Sequence, residues 1–226
     1  MRKINIIHLT DIHGAAYIVN SISNDLQKAD LIIISGDITH FGRKKDAERI
    51  IDAISAYNSS ILAVSGNCDF PETEEYLLNK KMNLHLAVKE IAGYSIAGIG
   101  GSLPCPGTTP FEYTDDQAET WLKKIKQRIN SEKLLLFVSH QPPFRTINDT
   151  LPNKTHVGSK SILNFIKDTQ PLVCFTGHIH EGIGIDTIGA TKIVNPGPFR
   201  EGKYARIQIT NISVNITLQQ ITVSDN

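Results

Sequence analysis

Seven side chains able to bind a metal ion stand just after short apolar runs. They are Asp11 and His13 in "TDIHG", Asp37 in "SGD", Asn67 in "SGNCD", His140 in "SHQPP", and His178 and His180 in "TGHIHEG". Two carboxylates, four imidazoles and an amide offer oxygen and nitrogen together. That mixture suits manganese, iron, zinc, nickel or cobalt better than an all-oxygen calcium cage. Asp-x-His after a strand is, taken alone, more often a turn than a ligand pair, and Gly-Asp alone says almost nothing. Five such pieces in order, each closing an apolar run, point to a metal site. Two divalent cations some ~3.5–4 Å apart, sharing one carboxylate, would satisfy a donor set of this size.

The elements that position these residues can be read from the apolar pattern. Residues 4–9, 31–35 and 61–65 are near-continuous apolar runs of strand length, as in strands buried on both faces. Between them, 15–28 and 43–58 carry apolar residues at helical spacing. The first half is therefore βαβαβ with a parallel sheet, and strand-end residues collect in the crevice beyond the carboxyl edge. Further strands are predicted at 94–100, 133–139 and 171–177, and helices at 115–130 and 159–168. From residue 183 onward the alternation predicts antiparallel strands and hairpins. Loops 101–114 and 140–158 are long for a compact domain, which marks them as functional.

The 226 residues contain 40% hydrophobic and 20% charged residues, enough for a proper core, and read as a single domain spanning 1–226. Lysine plus arginine and aspartate plus glutamate number 23 each, so charge gives no case for a nucleic-acid polymer or an anionic membrane. No apolar run reaches the roughly 20 residues of a membrane span, and the N-terminus does not read as a signal peptide. Three widely spaced cysteines do not suggest a disulfide framework. The expected setting is cytoplasmic.

Taken in order, "DIH", "GD", "GNCD", "SH" and "GHIH" resemble the signature of the calcineurin-like metallophosphoesterase superfamily, from Asp11 to His180. "VNPGP" after the last histidines is similar to a segment of its small bacterial and archaeal members. The resemblance implies an α/β fold, a four-layer α/β-β/α sandwich of two mixed β-sheets packed face to face and flanked by helices. It implies that Asp11, His13 and His180 hold one metal, that Asn67, His140 and His178 hold the other, and that Asp37 bridges them. Manganese is the first expectation. The implied reaction is phosphoester hydrolysis by in-line attack of a hydroxide bridging the two metals, with a small phosphodiester or nucleotide as substrate. A catalytically weak scaffold or binding module on the same fold is the alternative, and seven filled positions favour catalysis.

The departure from the usual pattern is Cys68, where a histidine commonly stands near the leaving group. A thiol is a weak hydrogen-bond donor and a poor copy of an imidazolium. Cys68 belongs to the phosphodiesterase-like "GNCD" subset, or is a weak ligand or redox-sensitive thiol, or simply fills the turn. Asp69, which usually orients the histidine, is left to fix the loop; Asn67, Cys68 and Asp69 are the catalytic candidates of this turn. For substrate contacts the candidates are Arg145 and His156 in the second long loop and Arg200 after the Asn-Pro-Gly turn, with His40 at the rim. The antiparallel strands of the C-terminal half could pair edge to edge with a second copy, giving a homodimer.

Overall fold

The structure is a computed structural model that describes residues 3–210 and 213–223. In chain order it runs β1 (Ile4–Leu9), a 3₁₀ turn (Ala16–Ile22) leading into α1 (Ser23–Lys28), β2 (Leu31–Ser35), α2 (Lys44–Ser55), β3 (Ile61–Val64), α3 (Pro71–Asn79), β4 (Ala87–Ile91) and β5 (Tyr94–Ile99). It continues through α4 (Asp115–Lys126), β6 (Leu134–Ser139), α5 (Lys160–Thr169), β7 (Val173–Phe175), β8 (Gly184–Ile188), β9 (Thr191–Asn195), β10 (Lys203–Ile209) and β11 (Val214–Gln220).

Two mixed sheets result. One has the order β11-β10-β1-β2-β3, the other β4-β5-β6-β7-β9-β8. Strands β1, β2 and β3 are parallel, as the βαβαβ reading requires, and β10 closes onto β1 antiparallel. The C-terminal hairpins β8–β9 and β10–β11 are antiparallel, but they part company. Strand β9 adds parallel to β7 in the second sheet, whereas β10 crosses to the first.

Strand alternation sorts the core into layers. Ile4, Ile6, Leu31, Ile33, Leu62 and Val64 of the first sheet meet Tyr94, Ile96, Leu136, Val138, Val173 and Phe175 of the second. The opposite faces pack on helices. Ile7, Leu9, Ile32 and Ile34 lie under α2 through Ala47, Ile50, Ile51 and Ile54, which recur at helical spacing. Ala97, Ile99, Phe137 and Cys174 lie under α4 and α5 through Leu122, Ile125, Ile162 and Ile166. The four-layer sandwich is thus present.

Some boundaries differ from the reading of the sequence. The stretch predicted as one helix at 15–28 opens as a 3₁₀ turn, which buries Ile18, Val19 and Ile22 against the first sheet. The helix predicted at 115–130 ends at Lys126; its start is fixed by Thr114, whose hydroxyl accepts from the Gln117 N–H at 3.2 Å. Helix α3 and strand β4 were not anticipated. Pro71 at the first turn, followed by Glu72 and Glu74, is the local signal for α3.

Candidate metal centre

Four of the seven donors leave their strands through left-handed turns. Asp11, His13, Asp37 and His178 all hold positive φ, at 51°, 45°, 48° and 69°. Side chains rarely accept that left-handed region, and it persists where the surroundings over-determine it. Backbone bonds supply the constraint. Asp11 N–H donates to Gly36 O at 3.1 Å, and His13 N–H donates to Asp37 O at 2.9 Å. The His178 N–H reaches both oxygens of Asp11 at 3.2 Å. Gly66 packs so close to Asp37 that an added Cβ would overlap its backbone nitrogen and Oδ1. This explains a glycine before Asn67 by approach rather than by φ.

The seven donors converge. Asp37 stands between His13 and His140, with Nε2 atoms 3.6 Å and 3.4 Å from its two carboxylate oxygens. His180 Nε2 lies 3.4 Å from Asp11 Oδ1 and 3.4 Å from His13 Nε2. His140 Nε2 lies 2.9 Å from Asn67 Oδ1, and its ring centroid is 5.0 Å from that of His178. Three overlapping groups could hold an ion: Asp11–His13–His180, His13–Asp37–Cys68 and Asp11–Asp37–His140.

The electrostatics fit cations. Burial works against the Asp37 charge, yet His140 and His13, with the Cys68 N–H, hold its carboxyl below the usual range. Burial likewise opposes the Asp11 charge, and the His180 hydrogen bond overcomes it. His140 is buried, but Asp37 pushes its pKa up to about 9. Its Nδ1–H donates to Ser35 O at 2.8 Å, which leaves Nε2 to face Asn67 and Asp37. A cation in place of the Nε2 proton would join the same atoms. Burial and the neighbouring His140 take His178 down to about 4, which favours the neutral imidazole that a metal ion requires. His13 Nδ1 is buried without a partner among the described residues.

Cys68 lies beside His13 and Asp37, and burial and the Asp37 charge push its thiol up, away from the thiolate. Asp69 braces the turn. Its carboxylate accepts from Ile38 N–H at 3.1 Å, Gly66 N–H at 2.8 Å, and the Thr39 N–H and hydroxyl at 2.7 Å each. It therefore ties the end of β2 to the end of β3.

Of the three substrate candidates, one reaches the cluster. Arg200 donates from Nη2 to His180 Nδ1 at 3.3 Å. His156 instead binds the buried Asp149 at 2.7 Å, and Arg145 sits over the Phe144 ring at 5.5 Å. Among the described residues neither bonds to any of the seven. His40 is at the rim, its ring 5.4 Å from that of His13. One residue went unnoticed in the sequence. Cys105 puts its sulfur 3.6 Å from His178 Nε2, and the only signal was its place in a loop too long to be idle.

Comparison with known proteins agrees with this geometry. Residues 4–182 match the model of the calcineurin-like phosphoesterase family. The chain is 37% identical over 202 residues to the uncharacterized protein MJ1162 of Methanocaldococcus jannaschii, covering 88% of this chain and 90% of that one. It is 27% identical over 177 residues to a probable glycerophosphodiester phosphodiesterase, GpdQ, of Arcobacter nitrofigilis, covering 75% of this chain and 64% of that one. Among solved structures, TT1561 of Thermus thermophilus superposes with a TM-score of 0.71 at 20% identity, over 96% of this chain and 99% of that one. That family uses a dinuclear divalent metal centre, and the donor groups for such a centre are present here. With its strand-end donors drawn together from both sheets and the family match running through all seven of them, the chain belongs to the calcineurin-like phosphoesterase family.

Proposed function

We propose that the protein is a dinuclear metal-dependent phosphoesterase that favours small phosphodiesters, nucleotides among them, over monoesters. The observation that carries this is the place of Asp37 between His13 and His140, at the meeting of both halves of the donor set. In this reading Asp11, His13 and His180 hold one ion, Asn67, His140 and His178 hold the second, and Asp37 serves both. Manganese is the first candidate, with iron, zinc, nickel and cobalt behind it. A bound metal pair supplies hydroxide at neutral pH and neutralises charge on the phosphoryl group.

The protein's own groups do the rest. Ser35 O fixes the His140 ring, Asp69 holds the two turns in register, and Arg200 places a guanidinium beside His180 to receive a phosphate oxygen. Cys68 offers no imidazolium to protonate a leaving group, an effect that elsewhere contributes ~10²–10⁴-fold. That weakens hydrolysis of monoesters with poor leaving groups more than hydrolysis of activated diesters. The likeness to a probable phosphodiesterase supports the same side of the choice.

The test is hydrolysis of bis(p-nitrophenyl) phosphate against p-nitrophenyl phosphate, metal-free and with Mn²⁺, with Asp37→Ala alongside. Metal-dependent turnover, faster on the diester and absent in the variant, is the expected result. Metal binding without turnover of either ester would favour the scaffold reading.

A further inference from the structure

The turn that follows Asp37 carries two aromatic rings outward from the metal cluster. The His40 ring stands edge-on to His13, with centroids 5.4 Å apart at 78°. The Phe41 ring stands edge-on to His40, at 5.1 Å and 70°. His40 is exposed, and Phe41 is 46% exposed. Phe41 also holds φ at 54°, a conformation that a bulky side chain resists. A large apolar ring is thus shown to solvent on a strained backbone. Among the described residues the single ring it touches is that of His40.

This turn is held in place rather than loose. At one end the Thr39 N–H and hydroxyl both donate to Asp69 Oδ1 at 2.7 Å. The same hydroxyl oxygen accepts from Gly42 N–H at 3.2 Å, which closes the turn across its base. Gly42 in turn abuts the Asp46 side chain, which caps Arg43 N–H at 3.0 Å at the start of α2. The carboxylate that braces the metal turns therefore also braces the base of the ring pair. A strained, half-exposed ring fixed beside a donor cluster is the mark of a surface prepared for a ligand.

We propose that His40 and Phe41 form a stacking platform for a planar aromatic ring carried by the substrate. This rests on the phosphoesterase reading and narrows it to esters that bear a nucleobase or an aryl group. With phosphorus among the donors next to His13, the ring of such an ester extends along His40 to Phe41. The chain has no excess positive charge with which to follow a polyanionic strand. The ligand is then a single small ester, and ring stacking contributes its recognition.

The test is calorimetric binding of adenosine 5′-monophosphate, phenyl phosphate and ribose 5-phosphate to Mn²⁺-loaded protein. Wild type is expected to bind the two ring-bearing esters about 10-fold or more tighter than ribose 5-phosphate. Phe41→Ala should lose that preference while binding ribose 5-phosphate unchanged. Phe41→Gly should lose it as well and gain about 2–4 °C in Tm, because glycine relieves the positive φ. A preference for phenyl phosphate without one for the nucleotide would assign the platform to aryl esters. If Phe41→Ala binds all three ligands as wild type does, the platform is wrong although the phosphoesterase reading stands. If wild type binds none of them, the platform falls, whereas the phosphoesterase reading stands or falls separately on metal-dependent turnover of bis(p-nitrophenyl) phosphate.

Discussion

Cys68 donates its backbone N–H to Asp37 Oδ1 at 2.8 Å. The residue that departs from the usual motif therefore holds the central carboxylate through its main chain, which a residue of any type other than proline can supply. A change of side chain at this position leaves that main-chain bond in place. Cys68→His should keep metal binding and raise monoester hydrolysis relative to diester hydrolysis by about 10- to 100-fold. The ratio of kcat/KM on the two p-nitrophenyl esters measures it, and an unchanged ratio would make the thiol a spacer.

Asp37→Ala removes the group that faces both His13 and His140. Metal content measured after gel filtration should fall below two ions per chain. Turnover should drop by more than the ~10–100-fold that loss of an outer-shell partner costs.

Asp69 gathers four donors while fully buried. Asp69→Ala strands those donors, at about 1–3 kcal/mol for each buried group left unpaired and not rescued by water. A net loss of about 3 kcal/mol, or roughly 6–12 °C in Tm, is expected. Calorimetry on metal-free protein isolates this from any effect on the ions.

His8 lies between the sheets, its Nε2 2.7 Å from Ser35 Oγ and its ring edge-on to Phe175. Burial takes its pKa from 6.5 down to about 3, against the opposing pull of Asp11. Between those values the unfolded chain binds a proton that the folded chain refuses. The contribution is complete above pH 6.5 and falls by about 1.4 kcal/mol per unit as pH drops toward 3. His8→Leu should therefore flatten the loss of stability from pH 6.5 to pH 5 by about 2 kcal/mol in urea unfolding of metal-free protein. Equal slopes in the two proteins would mean that His8 titrates normally.

Of the three thiols, Cys68 and Cys174 are buried and Cys105 is partly exposed. A maleimide should label native protein once, and Cys105→Ser should abolish the label. Because the sulfur adjoins His178, added Mn²⁺ should slow labelling, and mass spectrometry reads both results.

The convergence of these seven side chains was legible because each ends an apolar run and strand ends share one edge. Ile4–Leu9 and Leu31–Ser35 could hardly be anything but buried strands, so Asp11 and Asp37 had to meet. What the alternation could not tell was the partition of the tail. The strands β9 and β10 read alike, yet one joins the second sheet and the other the first, a choice made by long-range packing. Arg145 and His156 looked equivalent to Arg200 as loop candidates for a substrate contact. The difference comes from Asp149, a buried carboxylate that claims His156, and nothing local to the motif announces it.

Asp11, His13, Asp37 and Asn67 follow strands of the first sheet, whereas His140, His178 and His180 follow strands of the second. Neither sheet carries the whole donor set. If the chain were cut in the segment between β3 and β4 and the pieces were supplied separately, neither would carry all seven donors. Recovered metal uptake would then report reassembly, so the same geometry that makes the site also makes it a complementation sensor for the return of β1–β3 to the rest of the fold, where β1 must pair again with β10.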